Sequence, residues 1–194
     1  MERETMIAHE HLHLVNIRQL VALGLVALFA AVLMYVVDGI LSPTSAFVVS
    51  IALLVGLAAF VMMLIQKSGV FLFFYGLVAL FTITLSDVGI MGVKKILVYL
   101  IAALAFEVVF LLLKVRIHFV AADIVLGGAL SGFVLPFFAA LLLVGNFVIQ
   151  LQVFNLMLLG FVSGLCGALV ACAVWHYVKN VVLFIELDMY LRGI

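Results

Sequence analysis

The fold is decided by long apolar runs, and the first of them, at residues 19–37, reads QLVALGLVALFAAVLMYVV. A helix that crosses the hydrocarbon core of a bilayer needs about 20 mostly apolar residues. Cutting the rest of the chain at its charges and its Gly, Pro, Ser and Asn residues gives further spans of this kind. They cover residues 45–66, 70–86, 95–113, 119–149 and 152–176. The sequence therefore predicts an all-α, polytopic membrane protein with six transmembrane helices in a compact bundle.

The overall composition agrees with a membrane protein that has little mass outside the bilayer. Of the 194 residues, 70% are hydrophobic and 9% are charged, with nine Lys+Arg balancing nine Asp+Glu. Soluble domains are roughly 45–50% apolar and about 25% charged. This composition excludes a soluble globular domain, a disordered chain and a nucleic-acid-binding protein that relies on a basic face. We expect a single transmembrane domain over residues 1–194, with short amphipathic segments at 1–18 and 178–194.

The segment 119–149 is too long for a simple span. It contains no Lys or Arg, and as a straight helix it would measure about 46 Å against about 30 Å of hydrocarbon. Its glycines and Pro136 are the places where it can kink or break, because proline removes a backbone donor. We expect a long, tilted helix kinked at Pro136, and the alternative is a break into two segments.

The distribution of basic residues predicts the orientation. With the N-terminus in the cytoplasm, two basic residues, Lys94 and Lys95, fall outside. The other seven fall inside, namely Arg3, Arg18, Lys67, Lys114, Arg116, Lys179 and Arg192. This positive-inside bias favours cytoplasmic N- and C-termini. We expect a multi-pass protein of the plasma membrane.

Polar residues gather at the predicted outer ends of the spans. Because polar groups in lipid are costly, they tend to face the interior of a bundle or a wet cavity. Several helices that offer hydrogen-bonding groups at one level therefore suggest a polar pocket open to the outside. The alternative is that helix ends are polar simply because they meet water. The candidate pocket residues are Tyr35, Thr82, Thr84, Asp87, Tyr99, Asn146 and Asn155.

One acidic residue, Glu107, lies within the body of the fourth span, in the stretch AALAFEVVFLLL. An unpaired carboxylate at that depth costs at least a few kcal/mol, so Glu107 is a functional candidate by default. It would bind a cationic or amide-bearing ligand, or else form a hydrogen bond across helices. For Asp123, a structural ion pair with Lys114, Arg116 or His118 is the favoured interpretation.

Small residues recur at intervals of four along two spans. Gly160, Gly164, Ala168 and Cys172 repeat along the sixth span, and Ala27 and Ala31 repeat along the first. Such faces allow another helix to approach closely. They serve either packing within one bundle or docking of a partner subunit, and the sequence leaves both open.

No motif for catalysis or energy conversion is present. The chain has no nucleotide-binding loop, no HExxH and no GxSxG, so we expect it neither to hydrolyse ATP nor to be an enzyme. A membrane-embedded enzyme acting on lipids is the least favoured class. His9 and His13 are i,i+4 neighbours, but a surface segment is favoured over a metal site. We expect no cofactor and no metal.

Three stretches resemble the substrate-binding membrane subunits (S-components) of energy-coupling factor vitamin transporters. NIRQLV at residues 16–21 leads into an Ala-rich span, as at the start of the first helix in this family. Ala27 and Ala31 match its AxxxA pattern, and GFVSGLCGALVACAVWHYVKN at residues 160–180 resembles its Gly/Ala-rich last helix. Position 2 is Glu rather than the His of the nickel/cobalt branch, which disfavours a metal substrate.

The resemblance implies a binding function that depends on partners. A small vitamin-like solute would bind in the outer half, under a roof formed by the loop from Asp87 to Lys95, with aromatic residues such as Tyr75 available for stacking. A transmembrane coupling subunit, contacted through Ala27 and Ala31, and separate ATPase subunits would drive uptake. The alternative is a non-catalytic accessory or assembly subunit of a larger membrane complex. In both cases the expected surroundings are the lipid bilayer, with no nucleic acid.

Overall fold

A computed structural model describes residues 15–113, 116–117, 120–144 and 151–192. Within these ranges the chain forms seven helices and one short hairpin. The helices are α1 (Ile17–Ile40), α2 (Pro43–Ile65), α3 (Val70–Phe81), α4 (Val93–Leu113), α5 (Ala122–Val144), α6 (Leu151–Val178) and α7 (Val182–Arg192). The antiparallel strands β1 (Arg116–Ile117) and β2 (Val120–Ala121) join α4 to α5.

Five of these helices, α1, α2, α4, α5 and α6, are long and apolar enough to cross a membrane. Their lengths range from 21 to 28 residues, which corresponds to about 32–42 Å of helix. The protein is thus an all-α, polytopic membrane protein, and this prediction is confirmed.

The starts of the first two helices follow from local sequence. Asn16 caps α1 in a capping box with Gln19, whose side chain accepts a hydrogen bond from the Asn16 N–H at 3.0 Å. Ser42 precedes α2, and Pro43 occupies its first turn. Proline suits this position because the first turn of a helix has no partner for its N–H groups.

The third span differs from its prediction. Instead of a helix over residues 70–86, α3 ends at Phe81 after 12 residues and is followed by an irregular segment, residues 82–92. A helix of this length is about 18 Å long, so it covers little more than half of the hydrocarbon core. Within this segment Gly89 and Gly92 take positive φ values of 77° and 75°, which turn the chain back towards α4. An extension over residues 82–86 was wrong because hydropathy alone does not register the turns that these glycines allow.

The long segment around Pro136 contains one continuous helix. It starts at Ala122, after strand β2, and runs through Pro136 to Val144. The 23 residues are about 35 Å long, which fits one crossing. The described part of this segment therefore contains no break, and residues 145–150 lie outside the described residues.

The small-residue face of α6 packs within the bundle. A Cβ atom on Gly160 would collide with the carbonyl of Gly132 in α5, and one on Gly164 would collide with that of Gly128. Only glycine permits backbones to approach this closely. Ala168 and Cys172 are buried as well. Of the two interpretations left open by the sequence, packing inside one bundle describes these residues.

The two ends of the described chain meet at one end of the bundle, here called the inner end. The Gln19 side-chain amide donates to the Leu191 carbonyl at 3.2 Å, and Arg18 donates to the Tyr190 carbonyl at 3.3 Å. Near the start of α7, the Phe184 ring packs edge-on against Phe60 of α2. Helix α7 thus runs from the end of α6 past α2 to the start of α1. The opposite end, where α1 ends and α2 begins, is called the outer end.

Candidate functional site

A buried ion pair lies at the outer end, where residues 82–92 fold back onto α4. Lys95 is 0% exposed and its ammonium lies 2.6 Å from an Asp87 carboxylate oxygen. Lys95 also donates to the carbonyl oxygens of Thr82 at 2.7 Å and Leu85 at 3.1 Å. These three bonds use all three donors of an ammonium group. Lys95 therefore ties α4 to the turn that follows α3 through the carbonyls of two residues of that turn.

Asp87 is held from three directions. Besides Lys95, the Tyr99 hydroxyl donates to its second carboxylate oxygen at 2.6 Å, and the Val88 N–H donates to the first at 3.0 Å. Lys95 and Tyr99 are i,i+4 neighbours, so one face of α4 presents both donors. We call Asp87, Lys95 and Tyr99 the outer cluster.

A second polar contact lies beside the outer cluster. The Tyr75 ring of α3 stands edge-on to the Tyr99 ring, with centroids 6.1 Å apart. The Tyr75 hydroxyl forms a 2.8 Å hydrogen bond with Ser131 of α5, and both residues are fully buried. Helices α3, α4 and α5 thus each contribute polar groups to the interior of the outer half.

The structure brings together three of the candidate pocket residues, Thr82, Asp87 and Tyr99. Thr82 contributes its carbonyl, whereas its hydroxyl bonds to the Val78 carbonyl at 2.8 Å within α3. Asp87 and Lys95, expected as charges in an outer loop, are instead buried and paired. The reason is that an unpaired lysine at this depth is costly, whereas the turn after α3 supplies it with a carboxylate and two carbonyls.

Tyr35 and Thr84 form a separate pair nearer the surface. Their hydroxyls are 2.6 Å apart, and the Tyr35 hydroxyl also lies 3.4 Å from the Phe81 carbonyl. Both residues are exposed. They fasten α1 to the end of α3 but lie outside the outer cluster.

Glu107 lies far from the outer cluster. Its carboxylate accepts a hydrogen bond from the backbone N–H of Gly69, the residue that precedes α3. Since Thr82 follows the other end of α3, the two sites are separated by the length of that helix, about 18 Å. Glu107 therefore caps the inner end of α3, and the structure does not bring it together with the other candidate residues.

Two further candidates lie apart from the outer cluster. Asn155 is exposed on α6, and Asn146 lies outside the described residues. Asp123 is buried at the start of α5, where its carboxylate accepts the N–H of Ile124 at 3.0 Å. The side chains of its expected partners, Lys114, Arg116 and His118, also lie outside the described residues, as do His9 and His13.

Ala27 and Ala31, the expected contacts for a coupling subunit, are buried inside the bundle. They are 0% and 3% exposed. The outward face of α1 consists instead of large apolar side chains such as Leu25, Phe29 and Val32. Small residues pack inward here because they let α1 approach its neighbours. Docking through these two alanines would therefore require α1 to separate from the bundle.

Sequence reasoning missed Lys95 and Ser131 as interior polar groups. The i,i+4 spacing of Lys95 and Tyr99 was a signal that one helix face carries both. For Ser131 there was no signal, since a serine within an apolar span commonly bonds to its own helix. In the part of the chain that the structure describes, no group of three His, Cys, Asp or Glu side chains is placed to hold a metal ion.

An apolar groove of about 390 Å³ lies between α2 and α6, away from the outer cluster. Its walls include Ala52, Gly56, Phe60, Gly167 and Val170. None of the candidate pocket residues lines it. Its apolar walls suit hydrocarbon or another apolar chain rather than a polar solute.

Comparison of the chain with protein-family models, with curated proteins and with solved structures finds no match. The fold and the outer cluster therefore define the class directly: a polytopic α-helical membrane protein with a buried, charged cluster in the outer half of its bundle.

Proposed function

We propose that this protein is a membrane-embedded binding subunit for a small vitamin-like solute. It works with a separate transmembrane coupling subunit and with ATPase subunits that drive uptake. The observation that supports this most is the buried outer cluster of Asp87, Lys95 and Tyr99, which joins the irregular segment 82–92 to α4.

The energetic cost of the outer cluster favours a functional role. Replacing a buried ion pair by apolar side chains of similar volume is often neutral or stabilising. The net stability that such a pair contributes therefore does not by itself account for its presence. Ionisable residues at membrane depth mark ligand and ion pathways in many membrane proteins. The outer cluster combines a cation, an anion and a hydroxyl, and this combination suits a polar solute.

The sequence contains no motor motif, and for this reason we propose that partners supply the energy for uptake. Loops that bind nucleotide phosphates have a recognisable glycine-rich sequence, and the chain contains none. The positions that resemble S-components lie at residues 16–31 and 160–180. This resemblance supports a binding subunit whose partners supply the energy.

The proposal is tested by identifying what the purified protein retains. The full chain is purified in mild detergent and examined by native mass spectrometry for a bound small molecule. Uptake of that molecule is then measured in vesicles that contain the coupling and ATPase subunits of its host. Lys95→Met and Tyr99→Phe are expected to reduce solute affinity at least tenfold, because each removes a donor of the outer cluster. Asp38→Asn, at an exposed position on the same end, is the matched control. Equal affinity in all three variants would contradict the site.

A second candidate function is a non-catalytic accessory or assembly subunit. It is favoured by one observation: the polar groups of the outer cluster already satisfy each other, whereas the groove between α2 and α6 is apolar. Under this proposal the outer cluster fastens the turn after α3, and apolar surfaces bind other membrane chains. Co-purification with membrane proteins other than ATPases, and no retained solute, would favour it over the first proposal.

A further inference from the structure

Asp87 has the geometry of a carboxylate ligand bound by the rest of the bundle. Its two oxygens face the ammonium of Lys95 and the hydroxyl of Tyr99, at 2.6 Å each. Both donors belong to the regular helix α4, whereas Asp87 belongs to the irregular segment. Charge-assisted bonds of this kind are among the strongest hydrogen bonds in proteins. The two donors thus form a carboxylate-binding pair on a rigid element.

The position of Asp87 within its segment allows it to leave without dismantling that pair. The segment is pinned at its base by the hydrogen bond from the Gly92 N–H to the Ile83 carbonyl, at 2.9 Å. Lys95 is held by the carbonyls of Thr82 and Leu85, which precede Asp87. An outward turn of residues 86–91 would therefore carry Asp87 away while two of the three bonds of Lys95 remain. Gly89, at φ 77°, supplies backbone freedom within this stretch.

The surroundings indicate what else such a ligand would carry. Val88 and Ile90, on either side of Gly89, bury their side chains in the apolar core. The Tyr75 and Tyr99 rings pack edge-on against each other beside the donors. An outward turn would vacate apolar space directly next to the carboxylate position, and an apolar or aromatic body would fill it.

We infer that Lys95 and Tyr99 form a binding site for the carboxylate of an apolar or aromatic monocarboxylic acid, and that Asp87 fills this site as an internal substitute. This inference rests on the proposed solute-binding function, for which it names the substrate class. An incoming carboxylate replaces Asp87 on both donors, and its apolar body takes the place of Val88 and Ile90.

The test is rescue of Asp87→Ala by free carboxylates. Removing the Asp87 side chain leaves a buried ammonium without its anion, which lowers the thermal unfolding temperature of the full chain in detergent. Formate, acetate and benzoate are expected to recover at least half of that loss, because a ligand that binds only the folded state stabilises it. Formamide, acetamide, benzamide and sodium chloride at equal ionic strength are expected to recover none.

Two controls separate this site from general salt effects. Asp38→Ala removes an exposed acid at the same end, and its unfolding temperature is expected not to respond to carboxylates. Adding Lys95→Met to Asp87→Ala removes the cation and is expected to abolish the rescue. If Asp87→Ala does not fold, Asp87→Asn takes its place, because its amide preserves the shape and removes the charge.

The outcomes distinguish this inference from the proposed function. Failure of carboxylates to stabilise either Asp87 variant, or equal stabilisation of Asp38→Ala, overturns the inference. Uptake of a neutral or cationic solute in the presence of coupling partners would uphold the proposed function and overturn the carboxylate site. Rescue by carboxylates, with no solute retained or transported, would uphold the site and overturn the transport role.

Discussion

Lys95 and Glu107 lie twelve positions apart on α4, and each side chain binds one end of the 12-residue helix α3. Lys95 donates to the Thr82 carbonyl just beyond the C-terminus of α3, and Glu107 accepts from the Gly69 N–H at its N-terminus. The signs of the two charges complement the helix dipole of α3, which favours anions at the N-terminus and cations at the C-terminus. One helix thus supplies both caps of its short antiparallel neighbour, and this explains how a helix of about 18 Å is accommodated in the bundle.

The first prediction concerns Glu107. Glu107→Ala is expected to lower the free energy of unfolding by about 1–3 kcal/mol, because the half-buried Gly69 N–H loses its acceptor. Solute affinity is expected to stay unchanged, since Glu107 lies at the opposite end of α3 from the outer cluster. Urea unfolding in detergent and a binding assay measure the two effects. Glu186→Ala, at an exposed position on α7, is the control. A large loss of solute affinity without loss of stability would show instead that Glu107 belongs to the solute site.

The second prediction is a double-mutant cycle across the outer cluster. Lys95→Met alone is expected to cost about 3–5 kcal/mol, because it leaves the buried Asp87 carboxylate without its cation. Combining it with Asp87→Leu is expected to recover most of that loss, since two apolar side chains replace the pair. Thermal or urea unfolding of the two single variants and the double variant gives the coupling energy. Strict additivity of the two single effects would show that the ion pair contributes no coupling.

The outcome at Lys95 shows where sequence reasoning stopped. Hydropathy located the five long spans, because crossing a bilayer demands long apolar runs wherever the chain goes. It also placed Thr82, Asp87 and Tyr99 at one level. A hydropathy scale scores every lysine as a residue that faces water, however. It therefore gave no indication that the chain turns back after Phe81 and supplies Lys95 with three acceptors. The same segment contains Gly89 and Gly92 at positive φ, and a count of apolar residues does not reveal such backbone conformations.

For Glu107 and the two alanines of α1, the sequence indicated the kind of contact but not the partner. The sequence identified Glu107 as exceptional, because an acid within an apolar span requires a partner. Its partner, the Gly69 N–H, is a backbone group 38 positions away, and backbone groups have no sequence signature. For Ala27 and Ala31, the spacing correctly indicated close helix packing. Whether the neighbouring helix belongs to the same chain or to a partner depends on the three-dimensional arrangement.

The third prediction concerns the contact between α5 and α6. Gly160→Ala is expected to destabilise the fold by at least about 1–3 kcal/mol, because the new methyl group would collide with the Gly132 carbonyl and force the helices apart. Gly24→Ala on α1 is the matched control, since a Cβ at that position has no neighbour within 4 Å. Thermal unfolding in detergent compares the two variants. Equal behaviour of the two would contradict the close glycine contact.

The fourth prediction concerns the attachment of α7 to the start of α1. Gln19→Ala removes the buried side chain that donates to the Leu191 carbonyl, and the C-terminal helix is then expected to detach more often. Hydrogen exchange of residues 182–192 measures this directly, and about 1 kcal/mol of lost hydrogen bonding corresponds to exchange about fivefold faster. Gln152→Ala, at an exposed position near the outer end, is expected to leave the exchange of α7 unchanged. Because Phe184 still packs on Phe60 in the variant, the effect should concentrate in the last turn, at Tyr190 and Leu191. Uniformly faster exchange along the whole of α7 would show instead that the Gln19 contact holds the entire helix.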